Sequence, residues 1–322
     1  MKDFWLKWRR EIIRGTLLFT TVVVVGLLVI SWVNRGIRSI PGRFGLNFNN
    51  ADFDVDFPGL GPGRTVADTW SFHARVAPSQ WVWIHNTNGP IRVEPGRGDS
   101  VEILGIKSYR HSDPTTVKVM ANRSGTGLTV CALWGEAPAG CVPGAEWKPT
   151  SVKGNDVAVE FVVRLPKGVA LGATTVNGSV HVAGASAPIV AVSVNGGVDA
   201  RTAKGPVHAI SVNGSVHAAM QAFGDTGDVK VVTVNGSATV ELPERLDADL
   251  DATTVNGSIS TDYPVTVQGR FVGKKLHGIL GAGGRGVHVT VMNGSIRLLK
   301  VGQDSTSIAP PRRGRSARRS AS

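Results

Sequence analysis

Apolar positions along this chain follow two different patterns. From Gly15 to Val33 the sequence reads GTLLFTTVVVVGLLVISWV, which is 19 residues without a charged side chain. From about residue 65 to residue 300, short segments alternate between apolar and polar positions, and Gly, Pro or Asn separates them. A long apolar run is typical of a membrane-spanning helix, whereas a period of two is typical of a half-buried β-strand. The pattern therefore predicts one transmembrane helix and an all-β body.

A short motif, Val-Asn-Gly-Ser, recurs with small variations through the second half of the body. From Asn177 onward, successive asparagines of the motif are 18, 18, 22, 21 and 37 residues apart. A nearly constant period of this length is typical of stacked repeats. We interpret the last step as two repeats, one of which has lost the motif around VQGRFVGKK. The Asn-Gly pairs that we predict to form corners of the repeats are Asn88–Gly89, Asn177–Gly178, Asn195–Gly196, Asn213–Gly214, Asn235–Gly236, Asn256–Gly257 and Asn293–Gly294.

Two all-β architectures fit such a repeat. Asn-Gly between apolar strands is a strong hairpin signal and would give an antiparallel β-meander. In a β-solenoid (a β-helix-like stack), each repeat is one coil of about 18–22 residues, and equivalent residues lie about 4.8 Å apart in neighbouring coils. Stacking explains the recurrence better, because identical asparagines can form a hydrogen-bonded ladder and Gly permits a bend where a side chain would clash. We therefore expect a solenoid.

The segment TTVNGSVHV serves as an example of one coil. We expect Asn177 and Gly178 to form its corner. The core would be filled by Val176, Val180 and Val182, each of which would contribute about 1.5–3 kcal/mol on burial.

The repeats and several other segments resemble the bacterial DUF4097 adhesin family. The resemblance is carried by the TVNGSV repeats, the ending FVGKKLHGILGAGGRGVHVTVMNGSIRL, and the earlier segments NTNGPIRV and LTVCALW. It covers roughly residues 65–300 and implies a β-helix-like solenoid, often on a membrane anchor, with a role in adhesion. It implies no catalytic residues. The missing Asn-Gly pair between residues 257 and 293 departs from the family pattern.

The formal net charge of +11 is concentrated at the two ends of the chain. Residues 1–14 and three arginines between residues 35 and 43 carry part of it, and five arginines after residue 304 carry the rest. Residues 44–304 are neutral as a whole. A neutral body lacks the basic face that phosphate binding needs, so we predict no nucleic-acid partner.

The order of these segments predicts the organisation of the chain. Basic residues are more numerous before the apolar run than after it, so the N-terminus should be cytoplasmic and the body extracytoplasmic, on the periplasmic side or at the cell surface. The segment SWVNRGIRS after the run offers no cleavage site, which favours an uncleaved signal-anchor. We predict a cytoplasmic basic segment at 1–14, a single-pass transmembrane helix at 15–33, a Gly/Pro/Asn-rich linker at 34–64, the solenoid at 65–303 and a disordered Arg-rich tail at 304–322.

The two cysteines agree with an oxidising compartment. Nine residues, including turn-forming Gly and Pro, separate Cys131 from Cys141. A disulfide is the favoured interpretation, because such bonds persist outside the cytoplasm. A metal pair is the alternative, but no neighbouring Cys or His completes a set of four ligands.

Motifs that could carry catalysis or cofactor binding are weak. GAGGRG at 281–286 matches GxGxxG, but a strand follows it where a dinucleotide site needs a helix, so we interpret it as a turn. His181, Asp199 and His217 share one slot in successive coils, with His208 between the last two in sequence. Two ligands separated by two coils would be about 9.6 Å apart, so outward polar residues are favoured over a metal site. We predict no catalytic, metal or cofactor site.

Three functions remain open from the sequence. The favoured one is a non-catalytic, adhesin-like scaffold that binds an envelope polymer, a surface glycan or a partner protein, with the bilayer as partner of residues 15–33. An accessory of envelope-stress signalling is the alternative. A glycan-active β-helix enzyme is the third, and no small-molecule substrate is predicted.

Overall fold

The computed structural model describes residues 63–135, 140–149, 153–223, 227–265, 267–268 and 273–301. These residues form an all-β body with a single-turn 3-10 helix at Pro114–Thr116. The strands are β1 Thr65–Arg75, β2 Trp81–Asn88, β3 Ile91–Pro95, β4 Ser100–Tyr109, β5 Val117–Ser124, β6 Gly127–Trp134, β7 Ala158–Leu165, β8 Ala170–Asn177, β9 Val180–Ala185, β10 Ile189–Asn195, β11 Val198–Lys204, β12 Val207–Asn213, β13 Val216–Ala222, β14 Val229–Asn235, β15 Ala238–Leu242, β16 Ala248–Asn256, β17 Ile259–Thr261, β18 Val267–Gln268, β19 Lys274–Leu280, β20 Arg285–Asn293 and β21 Ile296–Lys300.

The strands build two sheets around one core. Sheet A runs in the order β1-β4-β7-β3-β9-β11-β13-β15-β21-β17, and sheet B runs in the order β18-β19-β16-β20-β14-β12-β10-β8-β2-β6-β5. In the stack, each coil contributes one strand to sheet B and the next strand to sheet A. Neighbouring coils pair in parallel with equivalent residues opposite each other, as Asn177, Asn195 and Asn213 do. This register confirms the β-solenoid, and the antiparallel meander is wrong for the stacked coils.

The Asn-Gly corner changes which residues face the core. Val180 and Val182 are buried as predicted, but Val176 is only partly buried, and the fully buried Thr175 takes the core position instead. The prediction failed at Val176 because it assumed that the alternation of inward and outward residues continues through the corner. In fact Leu171, Ala173 and Thr175 are the inward residues that lead into the corner from β8, whereas Val180 and Val182 are the inward residues at the start of β9.

The coils do not stack in the order of the sequence. The last coil of the chain, β20–β21, lies between β14–β15 and β16–β17, with parallel pairing on both sides. The interpretation of the 37-residue step as two repeats was therefore wrong. Within the described part of this step, the chain forms β19 antiparallel to β16 and β18 antiparallel to β19, and it then returns to insert β20 beside β14.

A similar exchange occurs at the other end of the stack. The coil β2–β3 lies between β6–β7 and β8–β9, although β6–β7 follows it in the sequence. Antiparallel strands then cover this end, because β4 pairs with β7, β1 with β4, and β5 with β6. Covering strands shield backbone groups that would otherwise offer an edge to another chain.

The predicted disulfide between Cys131 and Cys141 is confirmed, with 5.6 Å between the two Cα atoms. It ties the segment after β6 to the outer face of sheet B. Asn122 on the neighbouring β5 strengthens this attachment, because its side-chain amide donates a 3.0 Å hydrogen bond to the carbonyl oxygen of Cys141. Residues 140–149, the disulfide-tied segment, therefore cover part of the outer face of sheet B.

Candidate functional site

The repeated asparagines form a continuous hydrogen-bonded ladder along one edge of the stack. The Asn of each pair is the last residue of a strand of sheet B, and a strand of sheet A begins a few residues later. From Asn195 onward each side-chain amide donates to the side-chain oxygen of the asparagine in the preceding coil of the stack, at 2.8–3.0 Å. In stack order, the members are Asn177, Asn195, Asn213, Asn235, Asn293 and Asn256. Asn88 differs, since its amide donates to the carbonyl oxygen of Val157.

The glycine of each corner is required by the close approach of the neighbouring coil. A Cβ on Gly196 would overlap the backbone carbonyl of Gly178, and a Cβ on Gly214 would overlap that of Gly196. At Gly178 the backbone also has a positive φ of 155°. A side chain at these positions would therefore force two coils apart.

A column of buried hydroxyl groups lies beside the ladder and was missed in the sequence. Thr175, Ser193, Ser211, Thr233 and Thr254 are all buried, and each donates a hydrogen bond of 2.7–2.9 Å to the carbonyl oxygen of a corner glycine in the neighbouring coil. The signal was present in the sequence, because Ser or Thr stands two residues before the Asn in each of these repeats. These contacts show that the repeated segment around VNGS is used in hydrogen bonds between neighbouring coils.

The outward residues of sheet A form a row of charged and polar side chains. His181, Asp199 and His217 lie opposite each other in successive strands, as the slot in the sequence predicted. The Nδ1 atoms of both histidines lie 3.2 Å from the carboxylate of Asp199. The row continues through Arg92 on one side and Thr239 and Arg297 on the other.

A second row on the same face holds the first in place. Arg201 contacts Asp199 through its Nε at 3.0 Å, and Glu241 contacts the Nε2 of His217 at 2.7 Å. Burial raises the pKa of Asp199, but hydrogen bonds from His217 and Arg201 outweigh it and hold this pKa at about 2. The hydrogen bond to Asp199, helped by Glu241, raises the pKa of His217. The centre of this face is therefore a network of paired charges.

His208 does not belong to this row. It lies on β12 in sheet B, where its Nε2 donates a 3.0 Å hydrogen bond to the carbonyl oxygen of Asp228, and burial lowers its pKa. Sheet B has its own row of this kind, in which Asp251 lies opposite both His277 and His288. The Nδ1 of His277 is 3.2 Å from Asp251 and that of His288 is 3.9 Å away.

Elsewhere on its outer face, sheet B carries a stack of aromatic rings. The rings of Trp81, Trp83, His85 and Trp147 stack in sequence with centroids 5.0–6.0 Å apart. The Trp83 ring lies on the backbone of the neighbouring coil, since a Cβ on Gly172 would overlap it. The disulfide-tied segment covers His85, whose Nε2 donates a 2.9 Å hydrogen bond to the carbonyl oxygen of Gly144.

The GAGGRG segment forms the turn after β19, and its last two residues already belong to β20, so strands flank the turn on both sides. Within the described residues, no group of three or more His, Cys, Asp or Glu side chains has an arrangement that could hold a metal ion. The motif serines at 179, 215, 237, 258 and 295 lie at the corners next to the asparagines. In two of these corners, the Oγ atoms of Ser258 and Ser295 lie 2.9 Å apart, in neighbouring coils.

Several predicted segments lie outside the described residues. These are the basic segment 1–14, the helix 15–33, nearly all of the linker 34–64 and the tail 304–322. Among the residues that the structure does describe, no helix is long and apolar enough to cross a membrane. Arg64, at the end of the predicted linker, contacts the body through hydrogen bonds to the carbonyl oxygens of Ser108 and Asp156, each 2.6 Å long.

Fold and corner geometry define the class of this protein as a two-sheet parallel β-solenoid with a hydrogen-bonded Asn-Gly corner. Residues 151–299 match the family model Toastrack DUF4097, which confirms the resemblance to that family over this part of the chain. No curated protein matches the chain significantly.

Two solved structures are similar to the chain at low identity. A "putative cell adhesion protein" from Clostridium sporogenes is 14% identical with a TM-score of 0.37, and the match covers 72% of this chain and 100% of that one. A "putative adhesin" from Bacteroides fragilis is 12% identical with a TM-score of 0.33, and the match covers 73% of this chain and 97% of that one. The strand register of this chain itself establishes the solenoid.

Proposed function

We propose that this protein is a non-catalytic, adhesin-like scaffold of the cell envelope that binds a surface polymer or a partner protein through the outer face of sheet A. One observation carries the proposal. The repeated motif is used in contacts between coils, whereas the charged row around Asp199 lies on the outer surface of sheet A, where a partner can reach it.

The shape of this face suits a binding role. Parallel stacking places Arg92, Asp199 and Arg297 on one surface of sheet A, with charges of both signs along it. An extended partner with alternating charges could follow the row, because complementary charge gives specificity and speeds association. Regular strands hold the side chains at fixed spacing, which reduces the entropy lost on binding.

Glycan cleavage has less support. A glycosidase needs one carboxyl group with a raised pKa to act as general acid beside a second, ionised carboxylate. The pKa of Asp199 shifts in the opposite direction, since it is held at about 2. Glu241, a carboxylate of the second row, is paired with His217 at 2.7 Å.

The anchor and the location of the body are part of the proposal. The apolar run at 15–33, the excess of basic residues before it and the disulfide between Cys131 and Cys141 support a cytoplasmic N-terminus and an extracytoplasmic body. Protease added to spheroplasts should digest the body and spare the first dozen or so residues. Full protection of the body would contradict this topology.

Binding can be measured with the full-length chain in lipid vesicles and immobilised polymer from the cell envelope. We expect the immobilised polymer to retain less than a fifth as many vesicles carrying the double variant Arg201→Ala and Arg297→Ala as vesicles carrying the unchanged chain. The corner variant Asn213→Ala should lower thermal stability but leave retention of the folded chain unchanged. No retention by the unchanged chain, or loss only in the corner variant, would contradict the proposal.

A further inference from the structure

The outer face of sheet B carries a continuous strip of apolar side chains beside the Asn-Gly corners. One row directly precedes the ladder asparagines, and a second row lies two residues earlier in three of the same strands. Most of these side chains are partly exposed, and Val255 is 41% exposed. We call these residues the apolar strip; in stack order its first row is Val176, Val194, Val212, Val234, Met292 and Val255, and its second row is Val192, Ile210 and Val232.

The apolar strip does not belong to the core between the two sheets. Inward residues such as Ala191, Ala209 and Val231 form that core, and the strip residues alternate with them along the strands. The described strands form only the two sheets, so none of them packs over the strip. Parallel strands with apolar residues on both faces are typical of sheets that are covered on both faces. The composition of the strip is therefore that of a surface to which another segment binds.

The size of the strip suits a short peptide segment better than a second copy of the chain. Six strands cross it, so it is about 24 Å long, and two rows of side chains make it about 14 Å wide. Its area is therefore roughly 300 Å², far below the roughly 800 Å² per partner that a stable interface buries. An extended segment of six or seven residues is about 20–24 Å long, which matches the length of the strip.

A segment with complementary apolar positions precedes the body in the sequence. Residues 52–57, which lie outside the described part of the chain, read DFDVDF, so that aspartates alternate with Phe53, Val55 and Phe57. In an extended chain the three apolar side chains point to one side and the three carboxylates to the other. The charged side chains on the outer face of sheet B have both signs, as Lys230 and Asp251 do. Apolar contact, and not charge, therefore matches this segment to the strip.

The described chain begins at the same edge of the stack as the strip. Arg64 donates a hydrogen bond to the carbonyl oxygen of Asp156. The next residue, Val157, accepts a hydrogen bond from the corner residue Asn88. The chain therefore enters the body beside the Asn-Gly corners, and the apolar strip lies along these corners on sheet B.

The intervening chain is long enough to connect this edge to the strip. Strand β10, in the middle coils of the stack, lies two coil steps from β2 and its Asn88 corner, about 10 Å along the stack. Residues 58–63 read PGLGPG and span up to about 20 Å when extended. This length covers the distance along the stack and the passage around the corner edge.

We propose that residues 52–57 bind to the apolar strip as an extended segment, with Phe53, Val55 and Phe57 against the strip and the aspartates toward solvent. This contact would hold the tether along sheet B and leave the outer face of sheet A free. The proposal goes beyond the proposed function, because it assigns a partner to a second surface of the solenoid and does not depend on what sheet A binds.

The test is limited proteolysis of the full-length chain in lipid nanodiscs that hold one copy each, with a protease that cuts before Asp. We expect cleavage before residues 52, 54 and 56 to be at least ten-fold slower in the unchanged chain than in Val212→Lys, which places a charge in the strip. The double variant Phe53→Ser and Phe57→Ser keeps all three cleavage sites and should be cut at the same faster rate.

Two control variants should keep the slow cleavage of the unchanged chain. Met120→Lys replaces an exposed apolar side chain of sheet B on β5, three strands away from the start of the strip at β8. Leu60→Ser replaces an apolar residue of the same linker outside the segment. The double Phe variant lies before the described body, so it keeps the test valid even if Val212→Lys unfolds the chain.

Each other outcome overturns the proposal. Equally fast cleavage in all variants would show that the segment does not bind, and slow cleavage that either test variant leaves in place would mean that it binds elsewhere. Slow cleavage in nanodiscs that is lost in detergent micelles would attribute the protection to the bilayer. A dimer in micelles, seen by sedimentation, that Val212→Lys dissociates and the double Phe variant leaves intact would assign the strip to a second copy.

Discussion

The Oγ1 atom of Thr175 donates a 2.9 Å hydrogen bond to the carbonyl oxygen of Gly89 in the neighbouring coil. The same bond recurs from Thr233 to Gly214 and from Thr254 to Gly294. A buried side chain of one coil thus satisfies a backbone group of the next, at the point where the chain bends and cannot continue a regular strand ladder. The corner is stabilised from inside by this column and from outside by the asparagines.

The coil β20–β21 departs from this column and allows a matched pair of variants. The position occupied by Thr233 in β14 and Thr254 in β16 is occupied in β20, the coil between them, by the buried Val291. Thr233→Val should lower the free energy of unfolding by about 1–2 kcal/mol, because the carbonyl of Gly214 loses a buried partner. Val291→Thr should be neutral or stabilising, since its hydroxyl could donate to the carbonyl of Gly236.

Urea unfolding followed by circular dichroism would measure both changes. The comparison controls for shape, because Thr and Val have nearly the same volume. If both variants lost the same stability, the hydroxyl column would have no specific role.

The corner glycines permit a second comparison between adjacent residues. A Cβ on Gly196 would overlap the carbonyl of Gly178, whereas a Cβ on Gly197 would lie 3.3 Å from its nearest neighbour, the carbonyl oxygen of Ser215. Gly196→Ala should therefore cost about 3 kcal/mol, in the range of overpacking, and Gly197→Ala less than about 1 kcal/mol. Thermal melts of the two variants provide the measurement. Equal costs would mean that the corners can separate without strain.

The stacking of the repeats could be predicted from the sequence, but the order in which the coils stack could not. The period near 20, the identical asparagines and the two cysteines led to the solenoid, the ladder and the disulfide. The position of β20 beside β14 could not be predicted, because Asn293 fits against Asn235 as well as Asn256 would. Identical motifs do not specify the order of the coils, and in the structure β16 pairs with β20 on one side and with the antiparallel β19 on the other.

The positions of single side chains in the candidate sites could likewise be predicted only in part from the sequence. The slot shared by His181, Asp199 and His217 was visible as a spacing, and the structure brings these residues together. The switch of inward and outward positions at the corner could not be recognised in the sequence. Val176 was therefore predicted to lie in the core instead of Thr175.

The pairing of His217 predicts a loss of stability as pH rises. Its hydrogen bond to Asp199 raises its pKa in the folded state above the ordinary value of 6.5. The resulting stabilisation is fully present below pH 6.5 and is lost as pH rises through the folded pKa. His217→Gln should remove this part of the pH dependence in thermal melts between pH 6 and 8.5. As the control, His73→Gln at an exposed position should leave the pH dependence of thermal stability in place. An unchanged pH dependence in His217→Gln would contradict the pairing.

His85 predicts the opposite dependence at lower pH. Burial lowers its pKa from 6.5 to about 4, because the ring lies between Trp83 and Trp147 under the disulfide-tied segment. The stabilisation is complete above pH 6.5 and declines as pH falls toward 4, by roughly 3 kcal/mol in total, since the unfolded chain binds a proton that the folded chain does not. His85→Phe keeps an aromatic ring in the stack and should remove this decline, as measured by tryptophan fluorescence during urea unfolding at pH 4.5 and 7. His73→Phe serves as the control and should retain the decline. If His85→Phe lost as much stability in acid as the unchanged chain, protonation of another group would be responsible.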